Sequence, residues 1–531
     1  MRIGRILAST VLVLAVSAAA AAAPSYDVRE KSIAQLQADM AAGRVTSEQL
    51  VRAYLSRIRT LDRRLHSVIA LNPDALAEAR ALDAERRSGH LRGALHGIPI
   101  LLKDNVETLD PMPTTAGSLA LSANLTHRDA PLAARLRAAG AIILGKTNLS
   151  EWANIRSSQS ISGWSAIGGL TRNPYVLDRN ACGSSSGSAV AVAAGLAAAA
   201  VGTETDGSIT CPGSVDGVVG LKPTLGLVSR RYVVPISHSQ DTAGPLTRNV
   251  ADAAALLDVM AGSDPADPAT TPADANKRDY SAALKTASLK GVRLGVLRLE
   301  GGIDPTTDPL FAAALAKLRA AGAEIVTLDP VKPPATLGDD ELKVLLVELK
   351  ADLNAYLAAT PPQVATRSLS DVIAFDKSHP RETALFGQDL FEQAEATKGL
   401  DDPDYLKAHD GNLRFARTAL DTLLTRNHLD ALICPTATPS WRIDVVRGDR
   451  AGGDSTTLPA VAGYPHLTVP MGYSGGLPVG LSFIGPAWSE ARLLAYGYVF
   501  EQAVEARKPP QFLPSLESTP DKLRAFAPEP R

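Results

Sequence analysis

Two serine-bearing stretches stand out as places where this chain could do chemistry. In "NACGSSSGSAVAVAAGLAAAAVG", residues 180–202, Ser184, Ser185 and Ser186 lie between Gly183 and Gly187. In "GTETDGSITCPGS", residues 202–214, Ser208 follows Asp206-Gly207. A glycine-flanked serine on a tight turn can be held exposed, with neighbouring backbone N–H groups aimed at one point. Those are the two components of acyl transfer, a nucleophile and an oxyanion hole. Two other readings compete for the first stretch. A flexible linker fits the Gly/Ser run but not the dense apolar segment after it. A phosphate cradle fits a Gly-rich loop before a helix, but neither Gly-x-x-x-x-Gly-Lys-Ser/Thr nor Gly-x-Gly-x-x-Gly is present in the loop.

A serine nucleophile needs a base. His96 and His238 are candidates by residue type alone. Lys103 is the alternative: it ends the apolar run of "GIPILLKDN", residues 97–105, where desolvation lowers a lysine pKa towards neutrality. Lys146, in "GKTN", reads as structural. Cys182 and Cys211 flank the serine motifs, so a thiol mechanism is conceivable, although no His/Asp pattern supports it. Their closeness to the serines allows a disulfide that spacing alone cannot show.

Several elements must position these residues. Thr46 and Gln49 make a capping-box pattern ahead of Leu50, Val51, Tyr54, Leu55 and Ile58 at helical spacing. A second helix is predicted from Asp74 towards Arg87, and a buried strand ending at Lys103. "LRAAGAIILG" (136–145) and "LRAAGAEIVTL" (318–328) each read as a helix closed by Gly and followed by a strand. From Ser188 to Ala200 there is no charge and no breaker except Gly195, which predicts a buried helix. Residues 263–281 read as a surface loop, and residues 340–427 as a helical cap or flank. Helix–strand alternation points to a layered α/β fold with a largely buried sheet.

The whole chain of 531 residues has 45% hydrophobic and 21% charged residues, an ordinary globular balance. The formal net charge of −2, without a basic block, argues against nucleic-acid binding. Arg2 and Arg5, an apolar run, and small residues before Pro24 predict a secretory signal peptide over residues 1–23. That implies export to the periplasm or medium, with residues 24–531 forming one domain whose catalytic core covers about 90–260. No membrane association is expected after cleavage. Only three cysteines are present, so this is no disulfide scaffold. The nine histidines are scattered, without the paired His or Cys spacing of a metal site. No metal and no cofactor are implied.

Taken in order, "HGIPILLKDN", "GKTNLSEWAN" (145–154), "CGSSSGSA", "TDGSI", "GVVGLKPTLGLVS" (217–229) and "AGYPHLTVPMG…GLPVGLSFIG" (462–485) resemble the amidase signature family of serine hydrolases. The resemblance spans roughly residues 30–505. It implies a large mixed β-sheet covered by helices on both faces, and a Ser-cisSer-Lys triad. Ser208 matches the family's nucleophile, Ser184 the bridging serine held by a cis peptide bond after Gly183, and Lys103 the base. The oxyanion would be met by backbone N–H groups around Thr205, Asp206, Gly207 and Ser208, with Ser185 supporting the loop or capping the helix. Ser186 and Asp206 stand where the family usually has Gly, and the Asp206 carboxylate should point away from the oxyanion. These departures, with "PISHSQDTAGP" (235–245), resemble the bacterial peptide amidase branch. That branch implies an enzyme hydrolysing the C-terminal amide of peptides to acid and ammonia; a monomer is expected. Aryl or aliphatic amides are the alternative substrates. An amidotransferase subunit or a non-catalytic periplasmic binding protein is the alternative role.

Overall fold

The structure, a computed structural model, describes residues 26–299 and 302–518. The expected signal peptide therefore lies outside the described residues. No helix among them is long and apolar enough to cross a membrane.

One sheet runs through the molecule. Its strands are β1 (Val68–Leu71), β2 (Pro99–Lys103), β3 (Ile142–Thr147), β4 (Ala199–Glu204), β5 (Val219–Lys222), β6 (Thr242–Thr247), β7 (Arg293–Val296), β8 (Glu324–Thr327), β9 (Ala431–Pro435), β10 (His466–Ser474) and β11 (Leu477–Ile484). The spatial order is β1-β3-β2-β4-β6-β5-β10-β11-β9-β7-β8. β2 runs parallel to β3 and β4, and β7 runs parallel to β8 and β9. The remaining pairs are antiparallel, so the sheet is mixed. β2, β3, β4, β5, β6, β9 and β11 are buried at every position, as strands with helices on both faces must be.

The two echoing segments occupy equivalent places near opposite edges. Helix Pro131–Ala138 leads into β3, parallel to β2; helix Asp308–Ala320 leads into β8, parallel to β7. Thr46 and Gln49 do form a capping box, starting helix Ser47–Leu65. The apolar stretch after the serines departs from expectation. Its helix covers only Ser186–Ala193, and Ala199–Ala200 already belong to β4. Gly195, at φ +66°, takes the left-handed turn that ends the helix. Residues 263–281 also hold short helices, Ala273–Asn276 and Tyr280–Ala283.

Helices Leu337–Ala358, Leu369–Ser378, Asp389–Glu395 and Pro403–Arg426 lie between β8 and β9. Leu349, Leu353, Leu357, Val372 and Phe391 build a second apolar cluster with Trp152, Val234 and Ile236. The loops near the serines are thereby packed against helices that stand outside the sheet.

Candidate active site

Lys103 is the last residue of β2, and the parallel register with β4 carries its side chain to Thr203. The fully buried Nζ lies 2.7 Å from Ser184 Oγ, 3.1 Å from Ser185 Oγ, 2.9 Å from Thr203 Oγ1 and 3.2 Å from Thr203 O. No carboxylate among the described residues makes an ion pair with it. Burial therefore dominates and draws its pKa from 10.5 down to about 7, partly offset by Asp241 and Glu204.

The serine loop is tied to its surroundings at every residue. The Gly183–Ser184 peptide bond is cis. Ser184 O accepts from Ser150 N at 3.1 Å. Ser185 Oγ donates to Thr203 O (2.9 Å) and accepts from Thr203 N (3.1 Å). Ser185 sits at the N-cap position of Ser186–Ala193, but its side chain makes no cap bond; of its two expected roles, it takes the supporting one. Ser186 Oγ donates back to Cys182 O at 2.5 Å.

Ser185 N donates to Ser208 O at 3.0 Å, joining the two serine motifs. Ser208 follows Gly207, whose φ of +75° makes the tight turn, and precedes the short helix Thr210–Val215. Glu204 accepts from Ile209 N (2.7 Å) and Thr210 N (2.9 Å), so one buried carboxylate satisfies two free N–H groups at that helix start. A disulfide joins Cys182 to Cys211 and clamps the loop to this helix. Neither sulfur is then a free thiol.

The Asp206 carboxyl accepts from Thr457 Oγ1 at 2.7 Å. Burial first, then the nearby Glu341 and Asp454 carboxyls, push its pKa well above the usual carboxylate range. The shift favours the uncharged form of Asp206 beside the turn of residues 205–208.

The other candidate bases lie elsewhere. His96 Nε2 bonds Leu82 O (2.9 Å). Lys146 Nζ donates to Val106 O (2.6 Å) and Thr114 Oγ1 (2.9 Å). His238 is half-exposed between two carboxylates, Nδ1 to Asp352 at 2.9 Å and Nε2 to Glu348 at 3.5 Å. These three are the described side chains that come closest to a metal-ligand group. Both ring nitrogens face carboxylates, and the Asp352 hydrogen bond raises the His238 pKa, which favours the protonated ring between them.

Thr203, Glu204 and Asp241 are the site residues that sequence reading passed over. Glu204 alone carried a signal, a charged residue at the end of an otherwise apolar strand, which a buried strand end must pair. Thr203, Thr205, Asn105 and Asp241 line a cavity of about 390 Å³ whose wall includes Arg230 and His238.

The amidase family model matches residues 49–494. This chain belongs to the amidase family. Among solved structures, the peptide amidase from Stenotrophomonas maltophilia is 51% identical, with a TM-score of 0.84 over 91% of this chain and 99% of that one. The crystal structure of an amidase family protein from Bacillus anthracis is 37% identical, with a TM-score of 0.83 over 91% of this chain and 93% of that one. A probable amidase of Arabidopsis thaliana is 40% identical, spanning 92% of this chain and 93% of the relative. The amidase fold and hydrolase activity expected from the motifs are shown by these matches. This amidase thus sets its buried lysine and clustered hydroxyls within a family scaffold for amide hydrolysis.

Proposed function

We propose that this amidase is an exported monomer that hydrolyses the C-terminal amide of peptides, with Ser208 as nucleophile, Ser184 as relay and Lys103 as base. The observation that carries the reading is the 2.7 Å contact between Ser184 Oγ and a buried lysine amine. With a pKa of about 7, that amine is substantially neutral at working pH and has a lone pair to offer. Its N–H groups are met by Thr203 O, which can only accept, and by the Thr203 and Ser185 hydroxyls.

Lys103 Nζ takes the Ser184 proton as Ser184 Oγ takes the proton of Ser208. Ser208 Oγ then attacks the amide carbon. The oxyanion is met by backbone N–H groups of residues 205–208, held in place by the Glu204 and Ser185 bonds. The relay returns the proton to the departing nitrogen, ammonia leaves, and an acyl-Ser208 remains. Water, deprotonated through the same relay, attacks the ester; Ser208 recovers its proton as the peptide acid departs.

Likeness to the Stenotrophomonas peptide amidase supports a peptide amide over an aryl or aliphatic one. The basic, then apolar, then small-residue start supports export, and so does a disulfide beside the site, since disulfides persist in oxidising compartments. The test is ammonia release from an N-blocked dipeptide amide, with Ser208→Ala as control. Turnover that vanishes in the variant is expected. Turnover that survives it removes Ser208 as nucleophile, and a folded wild type inert on the peptide amide but active on benzamide or propionamide removes the peptide reading.

A further inference from the structure

Asp241 precedes β6, and β6 pairs with β4 so that Thr242 faces Glu204. The same register sets Asp241 beside Thr205, the first residue of the oxyanion turn. Thr205 Oγ1 donates to Asp241 Oδ1 at 2.6 Å, and Ile236 N and Ser237 N donate to Oδ2 at 2.8 and 3.0 Å. Thr203, two residues before Thr205, holds Lys103 through its carbonyl and hydroxyl. One short path therefore links the carboxylate to the amine.

We infer that Asp241 is a positioning residue of the hydrolysis: its carboxylate sets the charge surroundings of Lys103 while its bond to Thr205 holds the oxyanion turn. The inference rests on Lys103 acting as the base. The charged groups facing Lys103 are Asp241 and Glu204, both of which favour its protonated form. Burial raises the pKa of Asp241 itself to about 6, offset by its bonds to Thr205, Ser237 and Ile236 and by Arg230, whose guanidinium is engaged by Asp267 at 2.6 Å; it is therefore charged where Lys103 titrates. Glu204 is committed to Ile209 N and Thr210 N at the helix start, whereas Asp241 lines the cavity beside Thr203. Without Asp241 the lysine would be neutral further into the acid range; with it, the base titrates near neutrality.

Two substitutions separate the charge from the bond. Asp241→Asn removes the charge and keeps the hydrogen-bond count: the amide oxygen accepts from Ile236 N and Ser237 N, and the amide nitrogen donates to Thr205 Oγ1 with that hydroxyl reversed. Thr205→Val removes the bond and keeps the charge. The measurement is kcat/KM against pH on the dipeptide amide, whose acid limb reports the base of the free enzyme. Asp241→Asn is expected to move that limb to lower pH by about one unit, the size of a single nearby opposite charge. Thr205→Val is expected to lower kcat with the limb in place. A limb that stays put or moves up in Asp241→Asn overturns the inference, whatever happens to the plateau. If the asparagine variant does not fold, the smaller uncharged Asp241→Ser is read the same way. Lys103→Ala run alongside keeps the two readings apart: activity retained there removes the base itself, whereas activity lost there with an unmoved limb in Asp241→Asn removes only the role of Asp241.

Discussion

Ionising Lys103 would cost much of the hydration free energy of an ammonium group, and no carboxylate in contact repays that cost. This is why its pKa falls to about 7 rather than remaining near 10.5. The sign for activity follows directly. Below the folded pKa the amine is protonated and has no lone pair for Ser184; above it the amine is a base. We expect kcat/KM to rise as pH passes through about 7 and to level off above it, measured as initial ammonia release across pH 5–9. Replacing Lys103 or Ser184 by Ala is expected to lower kcat by about 10²–10⁴, the usual worth of a positioned proton-transfer group, with KM changed far less. Lys103 and the serines were readable as candidates because a lysine closing an apolar run, and serines between glycines, are chemically conspicuous. Thr203 and Asp241 were not: a threonine at a strand end and an aspartate in a loop are common, and only their distances single them out.

At the scale of elements, the helix Ser186–Ala193 matters for how closely it approaches its neighbours. A Cβ on Gly187 would stand 2.4 Å from Ser67 O and 2.5 Å from Asn148 O, both backbone atoms that cannot swing aside. Gly187→Ala is expected to push the helix and the serine loop away from β3. Loss of activity should accompany a destabilisation of about 1–3 kcal/mol, read from denaturant midpoints. The Glu204 carboxylate serves the neighbouring turn. Glu204→Ala leaves two buried N–H groups unpaired and is expected to cost about 2–4 kcal/mol, with kcat falling more than KM rises as Ser208 loses its fixed position. Gly195 shows the limit of pattern reading. Apolar residues run on either side of it without a charge, so hydropathy cannot tell the end of a buried helix from the start of a buried strand. A positive φ can.

Across the whole molecule, the eleven strands β1 to β11, from residue 68 to residue 484, join one sheet, while Trp164–Ser165 and Gly169–Leu170 pair apart from it. The Cys182–Cys211 disulfide closes a loop with a sequence separation of 29 and joins the serine loop to the helix after Ser208. By loop entropy such a bond restricts the unfolded chain by about 3–4 kcal/mol. Cys182→Ser with Cys211→Ser is expected to lower the thermal midpoint by a few degrees and to weaken turnover, since the loop and the helix after Ser208 lose their link. Scanning calorimetry and ammonia release check both, and an unchanged midpoint would show that the bond does not form in solution.

The amino-acid sequence by itself determined the layered α/β class, the capped helix at Thr46, the strand ending at Lys103 and the glycine-flanked serines as candidates. All of these rest on local periodicity, glycine placement and side-chain chemistry, which the chain carries wherever it lies in space. Only the tertiary structure decided that Lys103 and Ser184, 81 residues apart, stand 2.7 Å apart, and that Cys182 pairs with Cys211. It also decided that Ser185 supports the loop rather than capping its helix, and that burial and the neighbouring Glu341 and Asp454 carboxyls raise the Asp206 pKa. Each of these depends on strand register and on what shares a buried space. Register is set by the packing of the sheet as a whole, and burial decides which form of a titratable group survives there.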